Sequence, residues 1–222
     1  MGKDSSRSAV RVVGEIFVTI GVVFLLYVVY QLWWTNVLAG FEADRAREQA
    51  LVNIKNPPNW DGGKPPIGTA FGLMYMPRLK SRVWELPVVQ GVEPAQLSRG
   101  IGHYPESDLP GQPGNMALAG HRATNGEPLA NIDQVKTGDK VYIYTYQGWF
   151  TYTLRKDRIV SPTAMWVLKD NPLPAGVLKS DKILTLITCN PRWGSTERWV
   201  WWGDQTDFRP IAEGPPPELG VK

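Results

Sequence analysis

The chain has 222 residues, 43% of them hydrophobic and 11% aromatic, which suits one domain with a genuine core plus an appendage. Its net charge at pH 7 is only +3, with +1 on residues 1–40 and +2 on the rest, and it has no basic run. This excludes a protein built to grip phosphates, so nucleic acid is not an expected partner.

The first predicted element is Ile16–Trp34, "IFVTIGVVFLLYVVYQLWW", 19 residues with no charge. At about 1.5 Å per residue such a helix crosses a ~30 Å hydrocarbon core, and a transmembrane anchor is assigned to 16–38. Tyr30, Trp33 and Trp34 stand at one end, where amphipathic rings favour the membrane–water interface. Lys3, Arg7 and Arg11 precede the span, while Arg45 and Arg47 after it are mixed with Glu42, Asp44 and Glu48. That bias places residues 1–15 in the cytoplasm and the rest outside the cell. The competing reading is a signal peptide cut near Val37-Leu38-Ala39, but the apolar region exceeds the usual signal length.

Residues 39–67 read as stalk and linker: Phe41–Asn53 is charged and helix-permissive, and "KNPPNWDGGKPPIG" (55–68) is rich in Pro and Gly. From 68 to 208 the pattern is β-rich. "AFGLMYM" and "RVWELPVV" are short apolar runs bounded by turn residues. "KVYIYTYQGWFTYTLRKDRIV" (140–160) alternates as a hairpin with its turn at Gln147-Gly148. "AMWVLKDN" (164–171) suits a short helix in a crossover loop. "ILTLIT" (183–188) is apolar on both faces, and "ERWVWWG" (197–203) is a further strand. The Pro-rich tail 209–222 is expected to fray or to pack only loosely. Many short strands without a long helix among them predict an all-β, closed or nearly closed barrel.

Three residue types carry candidate chemistry: cysteine, histidine and arginine. Cys189 is the only cysteine. Outside the cytoplasm cysteines usually pair, so a single one is a reactive thiol, an intermolecular partner, or a small buried hydrophobe. His103 and His121 are the only histidines, both within "IGHYPESDLPGQPGNMALAGHRAT" (101–124). His121 follows the apolar run 116–120 and is read as the last residue of a strand. A free thiol is mostly protonated at neutral pH, and an imidazole is the commonest group to take its proton and later protonate a leaving group. Arg198 shares a strand face with Val200 and Trp202, where a fixed guanidinium can hold a carbonyl or developing oxyanion. A surface role for Arg198, or Arg192 in the same function, stays open. Two histidines 18 residues apart and one cysteine give no metal-ligand spacing, and no cofactor is expected.

"TLITC" followed nine residues later by Arg198, with His121 68 residues before the cysteine, resembles the TLxTC…R signature of sortases. "GHYP" (102–105), "PGQPGN" (110–115) and "ALAGHR" (117–122) are similar in particular to class E sortases of actinobacteria. The resemblance covers about Gly68 to Gly203. It implies an eight-stranded sortase β-barrel with short helices in its loops, behind one transmembrane helix. It implies that His121, Cys189 and Arg198 are catalytic and that Thr188 helps orient the substrate or the oxyanion; His103, in a Gly/Pro-flanked loop, and its neighbour Tyr104 are further substrate-contacting candidates by position. The cysteine is then unpaired because a disulfide would block the nucleophile. The implied partners are surface proteins bearing an LAxTG- or LPxTG-type C-terminal motif, cleaved between Thr and Gly, and the amine of a peptidoglycan precursor as acceptor. A monomer without a calcium requirement is expected.

An L,D-transpeptidase would place histidine two residues before the cysteine, where this chain has Ile187, and a papain-like enzyme runs Cys before His. The non-enzyme reading is an anchored β-barrel binding module with a structural core cysteine.

Overall fold

The computed structural model describes residues 3–60 and 63–220. Met1-Gly2 of the cytoplasmic segment, Asp61-Gly62 of the linker and Val221-Lys222 of the tail lie outside the described residues.

Helix α1, Lys3–Val29, contains a window from Arg11 to Val29 with mean hydropathy 2.5 and no side chain buried in the protein. It is long and apolar enough to cross a membrane. One π-helical turn, Tyr30–Trp34, joins it to α2, Thr35–Lys55. The aromatic residues therefore lie just beyond the apolar window, with Trp33 and Trp34 exposed.

The segment expected to be a stalk is instead a docked helix. Ala39, Ala46, Ala50 and Ile54 of α2 are buried. Three of the four are alanines, whose small side chains let a helix lie close to a sheet. Polar contacts fix the docking: Asn53 Nδ2 donates to Ala70 O at 2.8 Å, Gln49 Oε1 accepts from Ala70 N at 3.1 Å, and Arg47 pairs with Glu85.

The barrel comprises β1 (Ala70–Tyr75), β2 (Leu86–Gln90), β3 (Ile101–His103), β4 (Gly114–Ala119), β5 (Lys140–Thr145), β6 (Gly148–Val160), β7 (Lys182–Asn190) and β8 (Glu197–Pro210). It closes in the order β1-β2-β3-β4-β7-β8-β6-β5. The pairs β2/β3 and β4/β7 are parallel and the others antiparallel. Helix α3, Pro94–Leu97, is a single turn between β2 and β3. Closure leaves the sheet without an unpaired edge.

Alternation sorts β7 and β8 between two clusters. Leu184, Leu186 and Trp201 join the barrel interior with Met116, Leu118 and Ile143. Ile187, Val200 and Trp202 face outward into a second cluster with Val167, Trp166 and Leu173 of the β6–β7 crossover. That cover explains why "ILTLIT" is apolar on both faces. The crossover holds a 3₁₀ turn at Met165–Leu168, pinned by Asn115, whose Nδ2 donates to Val167 O and Lys169 O while its Oδ1 accepts from Thr185 Oγ1 at 2.7 Å.

Three local expectations shift. Thr145 pairs with Gly148, so the hairpin turn is Tyr146-Gln147, one residue earlier than the Gly suggested. Gly148 opens β6 at φ +140°, with Arg209 O where a Cβ would stand, so glycine is required there by the backbone. The tail is packed rather than frayed: Leu219 is buried, and Glu218 Oε1 accepts from Lys140 Nζ at 2.9 Å and Tyr142 OH at 3.1 Å. β4 ends at Ala119, so His121 stands two residues past the strand.

Candidate active site

The site is assembled where β4, β7 and β8 run side by side. Ala119 pairs with Ile187, and one step further Gly120 N donates to Ile187 O at 3.1 Å. Thr188 Oγ1 donates to Gly120 O at 2.8 Å, so both polar groups of Gly120 are held by β7. A Cβ at Gly120 would meet Ile101 Cδ1 at 2.7 Å, so the residue's small size lets this backbone lie against the barrel. His121 follows directly, and its carbonyl accepts from Leu129 N at 3.0 Å. The imidazole is thus delivered by a backbone fixed on both sides.

Cys189 and Arg198 are direct partners across the antiparallel β7/β8 pair. Opposed residues share a face with Cβ atoms about 5 Å apart, so register alone places thiol and guanidinium side by side. Arg198 Nη1 donates to the carbonyls of Ser195 and Glu197, each at 2.9 Å, which ties it to the β7–β8 loop. Its face is the outer one, beneath the crossover, rather than the barrel interior.

An open groove of about 200 Å³ contains Cys189, His121 and Arg198 together, walled by Val92, Leu97, Tyr104 and Ile187. A second groove of about 330 Å³ leads away on the other side of Cys189 and His121, between Arg122, Thr124, Arg192 and Trp193. The thiol is half-buried and unpaired, accessible from two directions. His121 Nε2 is buried and has no hydrogen-bond partner among the described residues. Burial pushes the His121 pKa below its usual value, which keeps the imidazole neutral and able to take a proton.

The other candidates divide. Tyr104 lines the first groove, and burial raises its hydroxyl pKa while nearby Arg198 opposes the shift. Thr188 is buried with its hydroxyl committed to Gly120, which makes it a support for the His121 backbone. His103 is not brought to the groove. Strand alternation turns it inward, 0% exposed, with Nδ1 2.8 Å from the Gln90 side-chain amide and Nε2 2.9 Å from Asp108 O.

Arg122 is the contributor that sequence reasoning missed. It is 8% exposed, with Nη1 donating to Asn190 Oδ1 at 2.6 Å and its guanidinium 5.0 Å from the Trp199 ring centroid. It braces the chain immediately after Cys189. The signal was its adjacency to His121 within "ALAGHR". Among the described residues no group of three His, Cys, Asp or Glu side chains is placed to hold a metal.

Burial pushes the His103 pKa down to about 4. Above about 6.5, folded and unfolded chains both carry it neutral; below that only the unfolded chain takes up the proton, so stability falls as pH drops from 6.5 toward 4. The loss is about 3 kcal/mol at the low end of that window. His103→Gln should show a shallower fall in Tm over this range than the wild type, measured by thermal melts. Parallel pH profiles would refute the assignment.

A thiol, an imidazole and a guanidinium thus stand along one groove of a closed barrel. The sortase domain family model matches residues 74–206. The chain is 36% identical to sortase SrtE1 of Streptomyces coelicolor over 224 residues, 95% of this chain and 61% of that protein. It is 30% identical to SrtE2 of the same organism over 233 residues, 96% of this chain and 89% of that one. Among solved structures, sortase E from Streptomyces avermitilis superposes with TM-score 0.63 at 33% identity, over 70% of this chain and 99% of that chain. Sortase E1 from Streptomyces coelicolor, solved with a tripeptide in its active site, gives TM-score 0.61 at 31% identity over 68% and 97%. The chain belongs to the sortase family, and the four relatives named above are E-type sortases. It spans about three-fifths of the length of SrtE1.

Proposed function

We propose that this chain is a membrane-anchored transpeptidase that cleaves an LAxTG- or LPxTG-type motif between Thr and Gly and transfers the acyl group to an amine of a peptidoglycan precursor. The observation that carries this reading is the register Cys189↔Arg198 on the face of the groove that also holds His121.

His121, neutral at rest, takes the thiol proton as Cys189 Sγ attacks the threonine carbonyl carbon. Arg198 donates to the oxygen as it becomes negative, which strengthens binding as the transition state forms. The C–N bond breaks, the imidazolium gives its proton to the departing glycine amine, and a thioester remains on Cys189. The acceptor amine then attacks the thioester, His121 takes its proton, and the proton returns to the thiolate as the new amide forms. The two grooves meeting at Cys189 suit a donor peptide on one side and an acceptor on the other. The helix through Arg11–Val29 serves as an uncleaved anchor, with the N-terminus in the cytoplasm and the barrel outside.

A peptide library incubated with the enzyme and triglycine, read by mass spectrometry, tests the specificity. Joining of triglycine after Thr in LAxTG or LPxTG peptides is expected; cleavage elsewhere would contradict the reading.

Arginine roles separate on the same assay. Loss of a fixed oxyanion donor costs about 10²–10³ in turnover, and lysine keeps the charge without the planar fork. Arg198→Ala and Arg198→Lys should both fall severely, while Arg192→Ala stays within about tenfold, a barrier change of roughly 1.4 kcal/mol. Kinetics on a fluorogenic LAxTG peptide decide it: an inactive Arg192→Ala beside an active Arg198→Ala would move the role to the loop arginine.

A further inference from the structure

The junction between anchor and barrel fixes which end of the barrel meets the membrane. Asn36 stands two residues after Trp34, and its side chain grips the loop that follows His121: Oδ1 accepts from Gly126 N at 2.8 Å and Nδ2 donates to Glu127 Oε1 at 3.5 Å. Glu127 Oε2 in turn accepts from Arg192 Nη2 at 2.8 Å, and the Arg192 guanidinium lies 5.2 Å from the Trp193 ring centroid. Both loops that line the second groove are therefore tied to the first turn of α2. The opposite end of the docking, Asn53 against Ala70, lies 17 residues further along α2, about 25 Å up the axis at 1.5 Å per residue.

Trp193 is unexplained by the fold. It is 67% exposed at the lip of this groove, and an indole has a large apolar body with one polar N–H, suited to the headgroup layer of a bilayer. Trp33 and Trp34 are exposed in the same way, only one helical turn from Asn36. We infer that the end of the barrel carrying the 121–128 and 190–195 loops rests on the bilayer surface, with Trp193 seated in the same headgroup layer as Trp33 and Trp34. The second groove then opens at the membrane surface. The inference rests on the anchor reading given under Proposed function.

The test uses the full chain in the Cys189→Ala background, which has no other thiol. Trp193→Cys, Trp33→Cys and Lys55→Cys are each labelled with an environment-sensitive fluorophore. Each is then reconstituted into phosphatidylcholine–phosphatidylglycerol vesicles carrying a headgroup spin-labelled lipid. Labels at 193 and 33 should lose emission to a comparable extent, while the label at 55 keeps its own. Loss at 33 without loss at 193 overturns the docking and leaves the anchor standing. No loss at 33 overturns the anchor reading and the docking with it. Equal loss at all three positions shows a barrel lying along the surface, which also overturns the inferred orientation.

Discussion

Cys189→Ala should abolish transpeptidation while leaving the barrel folded. The substitution removes one sulfur from a half-buried position that makes no disulfide. Residues on both sides keep their places through the β7 ladder, from Ile183↔Asp204 to Asn190↔Glu197. Alanine tolerates a strand and leaves no buried polar group without a partner, so the cost in stability is small. The chemical cost is large because the sequence has no second thiol: without Sγ there is no thioester, and the acceptor has nothing to attack. Loss of a nucleophile in a comparable catalytic group costs on the order of 10⁶ in kcat. Product formation by Cys189→Ala at anything near the wild-type rate would rule out covalent catalysis at this site. A thiol-labelling experiment adds an independent check: a small alkylating reagent should modify Cys189 in the folded protein, whereas a structural core cysteine would resist it.

His121→Ala should be nearly as damaging, and far more so than His103→Ala. Proton transfer by a positioned side chain contributes about 10²–10⁴ in rate. His121 is asked to do this twice, for the thiol and leaving amine and again for the acceptor. Its Nε2 has no hydrogen-bond partner among the described residues, and its backbone is locked by Gly120 and Leu129. His103 has both ring nitrogens occupied inside the protein and does not line either groove at Cys189. Its loss is expected to lower Tm and leave turnover per folded molecule close to wild type. Circular dichroism melts beside peptide kinetics separate the two effects. If His103→Ala proves the inactive but folded variant and His121→Ala turns over normally, the proton carrier has been misplaced.

Much of this architecture is legible in the sequence because its signals are local. The uncharged run from Ile16, the alternating aromatics of the 140–160 hairpin and the doubly apolar "ILTLIT" each report their elements by local pattern. The pairing of Cys189 with Arg198 is set by the β7/β8 register, which neither strand's own pattern gives. What the sequence hides depends on contacts between distant segments. α2 is buried through alanines at 39, 46 and 50, whose spacing is helical but whose hydrophobic signal is weak beside so many charged neighbours. The tail packs through Leu219 and Glu218, two residues among prolines and glycines that locally read as disorder. His103 carries the same chemistry as His121, and only the inward turn of β3 removes it from the groove. Arg122 takes its role from Asn190 and Trp199, neither near it in the chain.

Covalent catalysis at Cys189 is tested most directly by the intact mass of the enzyme mixed with an LAxTG peptide in the absence of any acceptor amine. The expected result is an adduct equal to the peptide truncated after threonine, located on Cys189 by fragmentation, absent from Cys189→Ala and discharged by triglycine with release of a joined product. A wild-type enzyme that processes the peptide with no such adduct, or an equal adduct on Cys189→Ala, would contradict it.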